Sequence, residues 1–179
     1  MSFYNIYKIT NYLRLVEEDF HNHSIINQAL QWYADHEVLY YSEGIKENYK
    51  EEAYNSEKIL KMYEYLNNKG LLLFIEVNIK KIKKFLPDNT IELIKARYPE
   101  EMNWLKIGDI TIYNSELPIT IGNPYFRNIG IGTEVLNKSL EIARQLEIIS
   151  ISDVTVFKYN QRSLNMFLNC GFKIYKEDE

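Results

Sequence analysis

The chain has 179 residues, of which 46% are hydrophobic and 26% are charged, proportions typical of one soluble globular domain spanning residues 1–179. The net charge is −4, and residues 1–70 hold 7 lysines and arginines against 11 acidic residues, which favours a cationic partner over a nucleic acid or a membrane surface. No apolar run is long enough to cross a bilayer, and the first residues lack a basic segment followed by an apolar one, so we expect a cytoplasmic protein.

The first half of the chain predicts a strand, two helices and a second strand. Residues 12–16 have the composition of a strand, and apolar residues then recur at helical spacing over 20–33. A second helix has Asn55 or Ser56 as its N-cap. The apolar run 71–77 is short enough for a buried strand.

The middle of the chain predicts an insertion followed by two more strands. Residues 79–103 contain two prolines and a short helical pattern at 91–97, and we expect them to form a surface insertion. Residues 105–113 and 117–122 predict two strands joined by a short turn. Together the elements predict an α/β (α+β) fold with a mixed, mostly antiparallel sheet and helices on both faces.

A glycine-containing loop, residues 127–132, has the pattern R-x-x-G-x-G and runs directly into a helix. Two glycines let an anionic ligand approach the backbone, and the following helix directs unpaired N–H groups and a positive dipole end toward it. Arg127 adds a mobile positive charge beside this loop. The pattern favours a pyrophosphate ligand, with a glycine turn before a helix as the alternative.

A second unit follows near the end of the chain. Residues 154–159 predict a strand, Asn160 is placed as the N-cap of a helix containing Ser163, and Gly171 ends that helix. A further strand is expected to begin at Phe172.

This order of strands, loop and capped helices resembles the GNAT superfamily of acetyl-coenzyme A-dependent N-acetyltransferases. The resemblance covers residues 105–179 closely. In addition, residues 32–38 are similar to the W-x-x-D-x-E-V stretch of the branch that holds aminoglycoside and ribosomal-protein N-terminal acetyltransferases. The resemblance implies a GNAT-like sheet flanked by helices.

The resemblance also implies a site for acetyl-coenzyme A. Backbone amides of 127–133 would bind the pyrophosphate, strand 119–121 would hydrogen-bond the pantetheine, and Asn160 and Ser163 would hold its far side, with capping alone as the alternative for Asn160. Phe167 stands where many relatives have a tyrosine that protonates the leaving thiolate. The expected cofactor residues are Ile119, Thr120, Ile121, Arg127, Asn128, Ile129, Gly130, Ile131, Gly132, Thr133, Asn160, Ser163 and Phe167.

The general base and acid are less clear from the sequence, because Thr120 stands where many relatives have a glutamate. Asp109 is the first candidate base, since a carboxylate between apolar strand residues can face the cleft with a raised pKa. Glu76 is the second candidate, and a structural role is the alternative for both. Tyr125 or Tyr159 could protonate the thiolate, as could water or the amine's own proton.

The amine acceptor is expected over the N-terminal half, where aromatic rings and carboxylates can bind an ammonium group through cation–π contact and charge. These residues are Trp32, Tyr33, Asp35, Glu37 and Tyr40, with Tyr41 and Glu43 beside them. Trp32 and Tyr33 have an alternative role, which is to complete the buried stripe of the first helix.

Neither a metal site nor a reactive thiol is predicted. His21, His23 and His36 do not have the spacing of a metal-binding set. Cys170 is the single cysteine, and its place at the end of the last helix favours a packing role.

We therefore predict an N-acetyltransferase that moves an acetyl group from acetyl-coenzyme A to a primary amine of a small, cationic molecule by direct attack in a ternary complex. Acetylation of a protein N-terminus is the alternative acceptor, and a non-catalytic acetyl-coenzyme A sensor is the alternative class. A dinucleotide site is disfavoured because the loop lacks G-x-G-x-x-G. Monomer and homodimer both remain open.

Overall fold

An antiparallel sheet lies at the centre of the structure. The computed structural model describes residues 4–99, 102–114, 116–148 and 153–177. Over these residues the sheet has five strands, which lie in chain order with every neighbouring pair antiparallel. They are β1 (Ile6–Lys8), β2 (Leu13–Val16), β3 (Leu71–Asn78), β4 (Trp104–Ile112) and β5 (Ile119–Ile121).

Helices connect and cover these strands. Their bounds are α1 (His23–Trp32), α2 (His36–Glu43), α3 (Tyr49–Glu52), α4 (Ser56–Lys69), α5 (Ile79–Ile82), α6 (Asp88–Arg97), α7 (Ile131–Gln145) and α8 (Gln161–Asn169). Short 3₁₀ helices span Lys83–Phe85 and Pro124–Phe126. Asn22, Asp35 and Asn55 cap the first turns of α1, α2 and α4 by accepting hydrogen bonds from backbone N–H groups.

The two faces of the sheet are buried under different helices. One face packs against α5, α6 and α7 in a cluster that includes Leu15, Ile75 and Val135. The other face packs against α1 and α4, where Phe74 meets Ile25. Side chains alternate between the faces because successive Cβ atoms of a strand point in opposite directions. The predicted fold class, an α/β layer fold with an antiparallel sheet and helices on both faces, is confirmed.

A β-bulge between β3 and β4 changes which residues share a face. The register shifts between Ile75 and Glu76, so Glu76 lies opposite Lys106 whereas Phe74 lies opposite Asp109. Lys106 and Asp109 are three residues apart, and in a regular strand they would face opposite sides. The bulge instead puts both on the face that α1 and α4 cover.

Most of the predicted elements are present, with shifted bounds. The strands expected at 12–16 and 71–77 are β2 and β3, and those expected at 105–113 and 117–122 are β4 and β5. The helix predicted over 20–33 is shorter as α1, and Asn55 rather than Ser56 caps α4. The sequence did not reveal β1 or α2.

The strand predicted at 154–159 and the one expected at Phe172 are not formed as ladder strands in the described part of the chain. Exposure still alternates there as the composition suggests, with Val154 and Val156 partly buried between exposed neighbours. Val154, Val156 and Phe172 pack on the α7 face of the core. Apolar packing therefore satisfies these side chains, but a ladder also requires a backbone partner, and composition does not supply one.

Segment 79–103 is more than the surface insertion that the sequence predicts. It forms α5, a 3₁₀ turn and α6, and the helix expected at 91–97 lies within α6. Ile79, Ile82, Leu86 and Ile94 are buried in the same cluster as β2 and β3. Their burial makes α5, the 3₁₀ turn and α6 part of the core, because apolar side chains removed from water stabilise the packed face. Within the described ranges, no helix has the length and apolar character needed to span a membrane.

Candidate active site

A cleft of about 250 Å³ lies where α2, β5 and the N-terminal ends of α7 and α8 meet. The R-x-x-G-x-G loop forms one wall and α2 forms the opposite wall. The lining residues are Glu37, Val38, Tyr41, Ser42, Ile119, Thr120, Ile121, Phe126, Arg127, Asn128, Gly130, Gly132, Thr133, Asn160, Arg162, Ser163 and Met166.

The backbone of the loop is shaped for an anion. Asn128 and Gly130 have φ angles of +62° and +88°, and such left-handed residues turn successive N–H groups toward a common concavity. A Cβ placed on Gly130 would meet no atom within 4 Å, so the backbone is open at this point. Of the described side chains, none caps α7, whose first-turn N–H groups are left for an external acceptor. The loop therefore fits a pyrophosphate.

Gly132 brings two helices together behind this loop. A Cβ on Gly132 would lie 2.8 Å from the sulfur of Met166 on α8. The second glycine of the motif thus permits close packing of α7 against α8, whereas Gly130 supplies the left-handed turn.

Arg127 is held in place rather than mobile. Its Nε and Nη2 donate to the carbonyl oxygens of Ile121 and Gly122 at 2.8 and 2.6 Å. Its Nη1 donates to Asp35 at 3.0 Å and to Glu37 at 3.2 Å. The sequence-based prediction of a mobile cation is wrong, because these contacts join the end of β5 to the start of α2.

Glu37 joins two cations at the cleft. Its Oε2 accepts hydrogen bonds from Arg127 and from Arg162, each at 3.2 Å. The Arg162 guanidinium also lies over the ring of Tyr41, 4.6 Å from its centroid. Arg162 therefore brings a second positive charge to the cleft, from the first turn of α8.

Asn160 connects α8 to α2 while it caps α8. Its side-chain oxygen accepts from the Ser163 N–H at 3.1 Å, and its Nδ2 donates to the Tyr41 carbonyl oxygen at 3.1 Å. Tyr159 donates to the neighbouring carbonyl of Tyr40, also at 3.1 Å. These bonds fix the wall formed by α2.

The cleft brings together most of the cofactor residues that the sequence suggested. Ten of them line it, namely Ile119, Thr120, Ile121, Arg127, Asn128, Gly130, Gly132, Thr133, Asn160 and Ser163. The side chains of Ile129, Ile131 and Phe167 pack in or against the core instead. Phe167 lies against Phe172, with ring centroids 5.1 Å apart.

The expected acceptor residues separate into different environments. Trp32 and Tyr33 are buried, and a Cβ on Gly122 would overlap the Trp32 ring. Asp35 caps α2, and Tyr40 packs against Tyr41 and Tyr159. Of the five expected residues, only Glu37 lines the cleft. This favours the alternative that Trp32 and Tyr33 belong to the core.

Asp109 lies behind the cleft wall in a network of hydroxyl groups. Tyr63 donates to its Oδ2 at 2.8 Å, and the Tyr33 hydroxyl lies 3.0 and 3.1 Å from its two oxygens. The Tyr33 hydroxyl is also 3.3 Å from Oγ1 of Thr120, which lines the cleft. Burial raises the pKa of Asp109 to about 7, against the smaller opposing effect of the hydrogen bonds from Tyr63 and Tyr33.

Glu76 lies in a different place, beside a cavity of about 650 Å³ near β1, β2 and the turn before α1. Its two oxygens accept from Arg14 at 2.7 Å and from Lys106 at 2.9 Å, and Lys106 also pairs with Glu18. This cavity is larger than the cleft, but the glycine loop does not line it, and the helix N-terminus that borders it, that of α1, is already capped by the side chain of Asn22. The two ion pairs favour the structural role for Glu76.

Tyr125 lies in the 3₁₀ turn Pro124–Phe126 and packs against the core. It does not line the cleft, and neither does Tyr159. The three catalytic candidates Asp109, Glu76 and Tyr125 are thus in three separate locations.

Sequence reasoning missed several residues at the site. The one sequence feature that indicated Arg162 was its place within the Asn160-x-x-Ser163 stretch. For Tyr63 it was its place in the apolar stripe of α4. Both act across long separations in sequence, which local patterns do not reveal. Among the described residues, no group of three or more histidine, cysteine or acidic side chains is arranged to hold a metal ion.

Part of the chain matches a known protein family. Residues 120–172 match the family model described as Acetyltransferase (GNAT) family. No curated protein matches the chain. The matched stretch runs from β5 through the glycine loop, α7 and α8, which are the elements that line the cleft apart from α2. The match therefore supports assignment to the GNAT superfamily and, with it, acyl transfer in general.

Proposed function

We propose that this protein transfers an acetyl group from acetyl-coenzyme A to a primary amine of a small, cationic molecule. The observation that supports it most is the cleft itself. The cleft is lined by a glycine loop with two left-handed residues, by an uncapped helix start, by two arginines and by an edge strand. These features lie within the stretch that matches the acetyltransferase family.

Each wall of the cleft has a part in holding the cofactor. The N–H groups at the start of α7 and in the loop bind the pyrophosphate, because a helix N-terminus carries a partial positive charge. Among the described residues β5 is an edge strand of the sheet, and its backbone groups other than the Ile121 carbonyl, which accepts from Arg127, bind the pantetheine arm in the manner of another strand. Arg162 adds charge-assisted hydrogen bonds from α8.

The carboxylates at the cleft favour a cationic acceptor. Glu37 and Asp35 lie on the α2 side, and residues 1–70 are acidic overall. When bound, acetyl-coenzyme A supplies an activated thioester, and alignment of the amine in a ternary complex accounts for much of the rate, since proximity supplies on the order of 7 to 11 kcal/mol. The amine attacks directly, without an acyl-enzyme.

We expect the reaction to take place in the cytoplasm. The chain has one cysteine and therefore offers no internal disulfide, as is usual for proteins of reducing compartments. Burial raises the pKa of the Cys170 thiol, which suits packing better than nucleophilic attack.

Calorimetry with coenzyme A tests the cofactor site. Wild-type protein should bind it, and Arg162→Ala should raise the Kd about tenfold, because one charge-assisted hydrogen bond contributes about 1.5 to 3 kcal/mol. Lys158→Ala is the matched control, since Lys158 is an exposed cation two residues before the α8 cap and does not line the cleft. Wild-type protein that does not bind coenzyme A would overturn the proposal.

A thiol-release assay then identifies the acceptor. Acetyl-coenzyme A is supplied with polyamines, aminoglycosides or short peptides with a free N-terminus. Release with the small amines supports the proposal, and release with peptides alone supports N-terminal acetylation. Binding of coenzyme A without release for any amine supports a sensor.

A further inference from the structure

A line of polar atoms runs from the cleft into the interior of the protein. Thr120 lines the cleft, and its Oγ1 is 3.3 Å from the hydroxyl of Tyr33. That hydroxyl is 3.0 and 3.1 Å from the two carboxylate oxygens of Asp109. These three side chains come from β5, from the residue that ends α1 and from β4, and each is at most 8% exposed. The cleft is therefore connected to a buried carboxylate through two hydroxyl groups.

The number of hydrogens fixes the direction of this line. A tyrosine hydroxyl has one hydrogen, and a carboxylate can only accept. Tyr33 therefore donates to Asp109, and the hydrogen in the contact with Thr120 comes from the Thr120 hydroxyl. Thr120 Oγ1 then keeps lone pairs that can accept one further hydrogen bond. All the donors then point away from the cleft and toward Asp109.

We propose that Thr120, Tyr33 and Asp109 form a relay that takes a proton from an ammonium group in the cleft and delivers it to the buried carboxylate. The relay rests on the proposed function, because it prepares the amine for acetyl transfer. Of these three residues, only Thr120 contacts the amine. Tyr33 and Asp109 act through it.

The proton balance is simple. The ammonium N–H gives its proton to Thr120, the Thr120 hydroxyl gives its proton to Tyr33, and the Tyr33 hydroxyl gives its proton to Asp109. The neutral amine then attacks the thioester carbonyl carbon, an N–C bond forms and the C–S bond breaks. The second amine proton goes to the departing thiolate, which leaves as the thiol. Asp109 returns its proton to solvent by the reverse route after the products leave.

The surroundings of Asp109 suit the role of acceptor near neutral pH. Burial raises its pKa to about 7, and Tyr33 at the C-terminal end of α1 and Tyr63 from α4 donate to it. Phe74 lies opposite it on β3, and Thr120 lies opposite it on β5. Burial raises the pKa of the Tyr33 phenol well above its ordinary value, and the negative charges of Asp109 and, to a smaller extent, Glu43 raise it further. Tyr33 thus remains a neutral hydroxyl that passes protons on.

The two tyrosines provide a matched pair of variants. Both are buried and both donate to Asp109, but Tyr63 is off the path to the cleft. With acetyl-coenzyme A and spermidine, Tyr33→Phe and Thr120→Val should lose at least tenfold in kcat at pH 7 while the Kd for coenzyme A stays the same. Tyr63→Phe should keep kcat within about threefold at the plateau, with its acid limb moved to higher pH. Equal losses for the two tyrosine variants would mean a structural role and would overturn the relay.

The pH profile separates proton transfer from a structural effect. The wild-type rate should rise tenfold per unit up to about pH 7 and then level off, because ionised Asp109 removes the proton within the enzyme. In Tyr33→Phe and Thr120→Val only the neutral amine from solution reacts, so the rate should keep rising toward the pKa of the amine. The ratio of wild-type to variant rates should then fall as the pH rises. A constant ratio would contradict the relay.

A readout without turnover keeps the relay distinct from the transferase proposal. The infrared carbonyl stretch of protonated Asp109, assigned by its loss in Asp109→Asn, reports the ionisation of this residue directly. Thr120→Val should raise the pKa of Asp109 by a few tenths of a pH unit. Linked hydrogen bonds polarise one another, so loss of the Thr120 donor weakens the bond from Tyr33 to the ionised carboxylate. An unchanged titration would overturn the relay even if the protein acetylates amines. Absence of coenzyme A binding in calorimetry would overturn the proposed function, and the relay would fall with it.

Discussion

Asp109 and Glu76 are carboxylates buried on the same face of one sheet, and they differ in the charge that surrounds them. Glu76 is 5% exposed and bonds to two cations, Arg14 and Lys106, whereas Asp109 is 3% exposed and accepts from the phenols Tyr33 and Tyr63. Cations neutralise a buried charge, while phenols only hydrogen-bond to it. Burial of a carboxylate alone therefore does not identify a proton acceptor.

The largest expected effect is the change with pH in the free energy of unfolding that is caused by the buried carboxyl group of Asp109. Its pKa is raised from 3.8 to about 7, so between these pH values the native state holds a proton that the unfolded chain has released. Stability therefore falls as the pH rises from 4 to 7 and the loss is complete above 7, with a total on the order of 4 kcal/mol. Urea unfolding should be measured at pH 4 and pH 8 for wild-type protein and for Asp109→Asn. Between these two pH values, the free energy of unfolding of the wild type should fall by this amount more than that of the variant. A difference between the two proteins that does not change with pH would contradict the assigned cause.

Loss of the carboxylate at Glu76 should be the next largest effect. Glu76→Gln leaves Arg14 and Lys106 without their buried partner, and the free energy of unfolding at pH 7 should fall by about 3 kcal/mol. Glu18→Gln is the control, because Glu18 is more exposed and, among the residues that the structure describes, forms an ion pair with Lys106 only, so its loss should cost about 1 kcal/mol or less. Equal losses for the two variants would show that burial of Glu76 adds nothing.

The smallest expected effect tests the geometry of the cation rather than its charge. Arg14 donates through Nε and Nη2 to Glu76 and stacks on Trp104, 3.9 Å from the ring centroid. Arg14→Lys keeps the charge but loses the planar stacking and one hydrogen bond, so urea unfolding should show a loss of about 1 kcal/mol. A loss as large as that of Glu76→Gln would mean that the stacking, and not the ion pair, dominates this region.

The sequence predicted the parts of the site that depend on neighbouring residues. The loop at 127–132 and the cap at Asn160 are local patterns, and Asn160 lines the same cleft as Arg127, Asn128, Gly130 and Gly132. The strand expected at 154–159 failed because pairing requires a partner that composition does not specify.

The network around Asp109 lay beyond prediction because it is assembled across the fold. Tyr33 and Tyr63 reach Asp109 from 76 and 46 residues away, and the bulge that turns Asp109 to their side leaves no trace in the strand pattern. The apolar neighbours of Asp109 in the sequence made it a candidate base, but they did not indicate the phenols that separate it from the cleft. Arg127 and Asp35 likewise meet across 92 residues.

The bridging position of Glu37 has a consequence for how an anionic ligand arrives. Arg127 and Arg162 already share this carboxylate, and Arg127 also pairs with Asp35, so the entrance holds two positive and two negative charges. Long-range attraction of a phosphate from solution is therefore weak, and the rate of encounter depends little on ionic strength. Under the proposed function, an arriving phosphate would replace Glu37 as the partner of these guanidinium groups, and the freed carboxylate would become available to a cationic acceptor.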